Sequence, residues 1–340
     1  MKKALNKRVI IPAAFGIVLI AAGVIVMNIK KPVQKFSKAF FAMDCPVDIT
    51  LYSSADFSDD IRNRIKELDG LLSVYDEKSE INRLNAAGSG KKLSISPETS
   101  EVLDRSLELY EKYGGCNIMI GAVTQLWDIT GEPKVPSDAE IEKALKTVDA
   151  DNIKLNVKTC QLENGAQADL GCDAKGYALD KVKEILDEQK PEGAVVSFGS
   201  SILCYGKKPD GSRFKIGIKD PFYPDTLCAQ LECDACFVST SGGYERFFEA
   251  DGIRYCHIFD EKTGRPSEST LQSVTVISDS GIESDFLSTR IYLDGKENLS
   301  KWLGREDISV IAVDENARVY CSEKIKAQLS LTSEYFQFAD

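Results

Sequence analysis

The chain has 340 residues, 43% of them apolar, and a net charge of −11. That apolar content builds a sizeable core and excludes wholesale disorder. The acidic balance argues against a nucleic-acid partner, which needs a basic face, and no zinc-finger spacing, Walker loop or GxGxxG turn is present.

The first element is an uncharged apolar run, residues 9–29. It is flanked by Lys2, Lys3, Lys7 and Arg8 on one side and by Lys30, Lys31, Lys35 and Lys38 on the other. As a helix it extends roughly 30 Å, enough to cross a bilayer core. It has no clear small-x-small cleavage site and no cysteine at its end for a lipid anchor. Residues 1–29 therefore predict an uncleaved signal-anchor: a single-pass transmembrane helix in the cell membrane, with the body outside the cytoplasm. Lysines on both flanks leave the orientation open, and a buried core helix is the other reading. Residues 30–38 read as a basic linker, and residues 39–340 as one globular domain.

Within that domain, residues 47–52 alternate as a strand with Val47, Ile49 and Leu51 on one face. Residues 57–72 read as an amphipathic helix with Ile61, Ile65, Leu68 and Leu72 inward. Ser96 followed by Pro97 starts a helix that ends near Gly114 and Gly115. Ser137 and Glu140 form a capping box for a helix ending near Val148. Residues 173–188 form another, with Leu179, Val182, Ile185 and Leu186 inward. Residues 194–278 are rich in strand signals separated by Pro-Asp-Gly, Asp-Pro and Asp-Gly turns. A helix begins near Asp285. The whole predicts an α+β fold with mixed sheets.

Ten cysteines complicate the compartment. An exported chain with so many suggests disulfides. Yet several sit in apolar strand-like runs, such as Cys204, where cysteine behaves as a small hydrophobe. Cys233-Asp234-Ala235-Cys236 has redox-type spacing but precedes a strand rather than opening a helix.

Four segments carry residues suited to chemistry. Residues 169–180 make a glycine-containing turn entering a helix, with Lys175 in its first turn and Gly176 beside it. Free amides, the positive dipole end and the lysine suit a phosphate, with the glycine permitting close approach; an ordinary turn with a solvated lysine is the plainer reading. Asp285 and Thr289 share a helix face at i and i+4. Carboxylate and hydroxyl are hard donors suited to Mg²⁺, although Asp285 also suits a helix cap. Residues 239–246 place hydroxyls and glycines where they line a ligand or simply turn the chain. The fourth segment, residues 255–266, holds His257, the sole histidine. It is either the one imidazole proton carrier or a hydrogen-bonded histidine at a strand end. A single histidine also excludes the commonest transition-metal sites. Asp260 lies three residues on.

Taken in order, these motifs resemble the ApbE family, the FAD:protein FMN transferases. The resemblance covers roughly residues 40–325. Met43-Asp44-Cys45 is similar to the family's Met-Gly-Thr. Ser73-Val74-Tyr75 and Ser79-Glu80-Ile81, with Asn85, match its Ser-x-Tyr…Ser-Glu-Ile…Asn signature. Residues 116–121 lead to Leu126-Trp127. Residues 169–180 carry Asp-Leu-Gly…Ala-Lys-Gly-Tyr-Ala-x-Asp, residues 240–246 the Thr-Ser-Gly-x-Tyr-Glu-Arg element, and residues 257–266 the His-Ile-x-Asp-x-x-Thr-Gly-x-Pro segment. The resemblance implies Mg²⁺-dependent transfer of FMN from FAD to a threonine or serine hydroxyl of an acceptor protein, forming a phosphoester and releasing AMP. It implies that Asp285, Thr289 and the backbone carbonyl of Cys172 hold Mg²⁺. Met43, Tyr75, Asn117, Ile118, Met119, Asp169 and Lys175 would line the FAD site. His257 would lie beside the diphosphate as a base, with Asp260 orienting it or standing in for it. With an anchor, the acceptors would be exported or membrane redox proteins. A FAD diphosphatase and a non-catalytic FAD-binding protein are the rival readings. Departures from the pattern are Asp44-Cys45 for Gly-Thr, Asn117 for an aspartate, Gly199-Ser200 for Gly-Gly, Glu261 for a proline and Ser284-Asp285 for Ala-Asp.

Overall fold

The computed structural model describes residues 32–339. The anchor predicted over residues 1–29 lies outside them. Among the described residues no helix is long and apolar enough to cross a membrane.

The frame is a nine-stranded sheet. In spatial order its strands are Gln34–Ala42, Cys45–Ser53, Gly193–Ser197, Ser201–Gly206, Cys236–Gly242, Leu271–Ser278, Ser309–Asp314, Arg318–Cys321 and Gln337–Phe338. Neighbours run antiparallel except the last pair, which is parallel. Two three-stranded sheets and two short hairpins complete the β structure. The predicted α+β class with mixed sheets matches this architecture.

The predicted linker is corrected. Its second half enters the edge strand Gln34–Ala42, which pairs along its whole length with Cys45–Ser53. Lys35 and Lys38 mask the strand in the sequence, and charged residues are what an edge strand carries to discourage further pairing. Val47, Ile49 and Leu51 do point inward together, each at most 1% exposed.

Helices form where capping and apolar spacing agree. Ser58–Leu72 buries Ile61, Ile65, Leu68 and Leu72. Pro97–Tyr113 starts on the Ser96 hydroxyl, which accepts the Thr99 N–H, and stops at Gly114 with φ 66°. Asp138–Leu145 carries the full Ser137–Glu140 capping box, and Ala174–Gln189 lies close to its predicted span. The last long helix runs from Gly281 to Asp294. It begins one turn before Asp285, because Ser280 caps it and the remote Asp180 carboxylate accepts the Gly281 and Ile282 amides at 2.6 and 3.2 Å. Asp285 is thus an interior helical residue rather than a cap.

Ala174–Gln189 and Gly281–Asp294 cross in tight contact. A Cβ added at Gly176 would sit 2.1 Å from the Gly281 carbonyl oxygen, and one at Gly281 would sit 2.2 Å from that of Gly176. Gly176 therefore serves helix approach, not the phosphate approach expected from its position in the turn. This crossing brings Lys175 and Asp285 together on one side of the sheet.

Candidate active site

A cavity of about 810 Å³ opens over that crossing, within the usual range for a small-molecule site. Its wall includes Met43, Tyr75, Asn117, Asp169, Cys172, Lys175, His257, Asp285 and Thr289. Segments separated by more than two hundred residues thus converge. Three predicted residues do not join them. Ile118 and Met119 are fully buried in the core and absent from the wall that Asn117 lines. Asp260 is absent from the wall; its carboxylate accepts the Lys262 N–H at 2.7 Å and closes the hairpin turn. It makes no hydrogen bond to His257, so its proposed orienting role is corrected.

The inner wall is built on Asp285, which is 4% exposed. One carboxylate oxygen accepts the Gly176 N–H at 2.9 Å, and the other accepts the Ser201 hydroxyl at 2.9 Å. The Lys175 ammonium lies 3.9 Å away. That carboxylate, with Glu245, holds the lysine above its usual range against the opposing effect of burial. One helical turn on, the Thr289 hydroxyl pairs with Ser241 at 2.9 Å, while Ser288 pairs with Ser241 and Ser284 with Ser239. Ser201 is a residue that sequence reasoning missed. Its signal is a hydroxyl just after the Gly199 turn, opening the otherwise apolar strand Ser201–Gly206.

Asp285 and Thr289 fit a hard divalent cation by the chemistry of their donors. Each Asp285 oxygen retains acceptor capacity after its single protein hydrogen bond. The Cys172 thiol lies against Cys116, which with burial keeps it protonated, so only its carbonyl is a hard donor. Among the described residues no three His, Cys, Asp or Glu side chains form a metal cage. A cation here would complete its shell with water and ligand oxygens, as Mg²⁺ usually does.

His257 is set by Arg246. Its ring Nδ1 lies 3.1 Å from the Arg246 carbonyl, which also accepts the His257 backbone N–H at 3.0 Å. A carbonyl only accepts, so the ring proton belongs on Nδ1 and Nε2 carries the lone pair. Burial is the main cause that pushes the imidazole down to about 4, reinforced by the Arg246 and Lys175 charges. It is neutral at pH 7 and able to take a proton.

The mouth is held differently. Met43 and Asp44 turn the edge hairpin with φ of 50° and 57°, a left-handed pair that non-glycine residues adopt at a cost. The family pattern's glycine falls on Asp44, where glycine would relieve that cost. Arg246 clamps the turn, with one guanidinium nitrogen 2.7 Å from the Asp44 carboxylate and another donating to its carbonyl at 2.8 Å. Tyr75 is 65% exposed and its hydroxyl pairs with Thr130 at 2.9 Å. Asp169 accepts the Gly171 N–H and the Thr124 hydroxyl, and Asn85 fixes the preceding Ala168 through two hydrogen bonds. Glu261 accepts the Asn117 N–H at 3.0 Å, tying the histidine segment to the Asn117 wall.

One buried group beside the site lacks partners. Both carboxylate oxygens of Asp173 are without a hydrogen bond among the described residues. The nearby Ser106 hydroxyl donates instead to the Val102 carbonyl at 2.7 Å. Burial, with repulsion from Asp285 and Asp169, raises the Asp173 carboxyl to about 7.

The chain is similar to known proteins over most of its length. The ApbE family model matches residues 43–312. A Klebsiella pneumoniae FAD:protein FMN transferase is 29% identical over 90% of this chain and 97% of its own length. The Vibrio cholerae enzyme of the same name is 28% identical over 80% of this chain and 84% of its own. Among solved structures, the ApbE protein from Thermotoga maritima has a TM-score of 0.79 at 29% identity, covering 87% of this chain and 99% of its own. The flavin transferase ApbE from Vibrio cholerae has a TM-score of 0.77 at 25% identity, covering 87% and 100%. With its motifs gathered on one cavity and its fold shared throughout, this chain belongs to the ApbE family.

Proposed function

We propose that the protein is an FAD:protein FMN transferase that places FMN on a threonine or serine hydroxyl of an acceptor protein and releases AMP. The acceptor oxygen attacks the FMN phosphorus, the bond to the AMP oxygen breaks, and the acceptor proton passes to the enzyme. The observation that carries the reading is the meeting of Lys175, Asp285, Thr289 and His257 on one cavity wall.

Lys175 supplies fixed positive charge where the diphosphate would lie. Phosphoryl transfer needs such positioning and neutralisation more than covalent help. Asp285, Thr289 and the Cys172 carbonyl are the residues that would hold Mg²⁺. When bound, Mg²⁺ supplies charge neutralisation at the phosphate oxygens. His257 Nε2 takes the acceptor proton, a role that the Nδ1 bond to Arg246 prepares by fixing the tautomer. Met43, Tyr75, Asn117 and Asp169 would contact the rest of FAD. The apolar run 9–29 would anchor the chain in the cell membrane with the domain outside the cytoplasm, so the acceptors would be exported or membrane redox proteins.

The test is incubation of the purified protein with FAD, Mg²⁺ and an acceptor FMN-binding domain. Flavin fluorescence that stays on the denatured acceptor supports transfer. Bound, unchanged FAD overturns it in favour of a flavin-binding role.

A further inference from the structure

The Cys233-Asp234-Ala235-Cys236 segment takes no part in the cavity. Strand Leu227–Cys233 ends in a three-stranded sheet and strand Cys236–Gly242 begins in the nine-stranded one. Two exposed residues, Asp234 and Ala235, make the whole crossing between them. The antiparallel register then sets Cys236 directly opposite Cys204, at a separation that direct cross-strand neighbours keep near 5 Å. Cys204 is 1% exposed, Cys233 8%, and Cys236 half-buried. Three thiols therefore gather at one sheet junction, one pair set by the register and the other by the two-residue crossing. Cys228 and Cys256 differ, each donating to backbone carbonyls as core thiols do.

We infer that Cys204, Cys233 and Cys236 form a thiol–disulfide exchange site, in which Cys233 and Cys236 close a bridge at the expense of an external disulfide. Cys233 is the attacking sulfur: it ends its strand at the junction, and the neighbouring Cys204 and Cys236 thiols hold it below the usual thiol range. As the thiolate it attacks one sulfur of the external disulfide RSSR, forming Cys233–S–S–R and releasing one RS⁻, which takes from solvent the proton that the Cys233 thiol gave up. The Cys236 sulfur then attacks the Cys233 sulfur, closing the Cys233–Cys236 bond and releasing the second RSH with the Cys236 proton. The two cysteines lose two electrons and the external disulfide gains them. Cys204 remains as the donor thiol beside the bridge. The inference is independent of the transferase reading, since none of these sulfurs lines the cavity.

The experiment exposes the reduced, full-length chain to bis(2-hydroxyethyl) disulfide at neutral pH under native conditions. Remaining thiols are blocked with N-ethylmaleimide and the peptides mapped. The expected result is an adduct-free Cys233–Cys236 link, formed about ten-fold or more faster than any adduct on the half-buried single thiol Cys321. Cys236→Ser should retain one hydroxyethylthio adduct on Cys233, for want of a resolving thiol. If that variant does not fold, the wild-type map decides alone. Full maleimide blocking of Cys233 and Cys236 while Cys321 carries adduct would overturn the inference. So would a mixed disulfide that persists on Cys233 in the wild-type chain.

Discussion

Asp285 on the inner wall is 4% exposed and hydrogen-bonded through both carboxylate oxygens, whereas Tyr75 at the mouth is 65% exposed and held through its hydroxyl by Thr130 alone. The inner wall rests on two helices whose backbones touch at Gly176 and Gly281. The mouth rests on a hairpin tip with two left-handed residues, clamped by the partly exposed Arg246. Departures from the family pattern at Asp44, Cys45 and Asn117 fall at the tip or on the Asn117 wall, while Lys175, Asp285, Thr289 and His257 keep the pattern. Groups that neutralise a diphosphate tolerate little displacement, since their effect depends on fixed charge in a dry site. Groups that only contact a ring can be exchanged for others of similar shape.

The comparison can be broken by substitution, and the largest effect is expected at His257. His257→Ala should lower kcat/KM by about 10²–10⁴-fold, the usual worth of a positioned base, while FAD binding by fluorescence quenching is kept. Unaltered transfer would remove the base role. The acid limb of kcat/KM should lie near pH 4 rather than 6.5, because burial lowers this imidazole and it stays neutral until the pH falls that far. Asp285→Asn keeps the volume and one acceptor oxygen but loses the charge. It should reduce transfer by about 10²–10³-fold and raise the Mg²⁺ concentration needed for half-maximal rate. An unchanged Mg²⁺ requirement would count against the metal assignment.

Asp173→Asn should act on stability instead. The wild-type carboxyl is raised in the folded state, so its contribution is favourable below the unfolded value of 3.8 and is lost as the pH rises through about 7. Relative to wild type, the variant should gain about 2 kcal/mol at pH 8, half of the full shift after allowing for local relaxation. The gain should vanish near pH 4. Urea unfolding at both pH values measures it, and an equal effect at both would show that the carboxyl is not the cause. The smallest effect belongs to the mouth. Arg246→Ala frees the hairpin tip and removes a partly exposed ion pair worth about 1 kcal/mol or less. Its backbone carbonyl, which orients His257, is retained, so KM for FAD should rise a few-fold with little change in kcat. A loss confined to kcat would place Arg246 in the chemistry rather than at the mouth.

Local signals in the sequence found what local physics decides. Ser96-Pro97 and the Ser137–Glu140 box name real helix starts, and the spacing of Ile61, Ile65, Leu68 and Leu72 names a real buried face. The edge strand was hidden because its lysines read as a linker, and charge at an edge is a tertiary requirement. The start of the Gly281–Asp294 helix was misplaced because part of its cap comes from Asp180, about a hundred residues away. Motif order located most of the cavity wall. It misassigned Asp260, whose three-residue spacing from His257 suggested contact, because the intervening chain turns the carboxylate toward Lys262. Ser201 and the Arg246 clamp needed the fold, since neither is near its partner in sequence.

The most direct test of the central claim is the stoichiometry of AMP released to FMN covalently attached, measured with limiting acceptor in the presence of FAD and Mg²⁺. A flavin transferase releases one AMP for each FMN fixed, and release stops when the acceptor is consumed. AMP and free FMN that continue to accumulate without an acceptor would contradict the account and make the protein a diphosphatase.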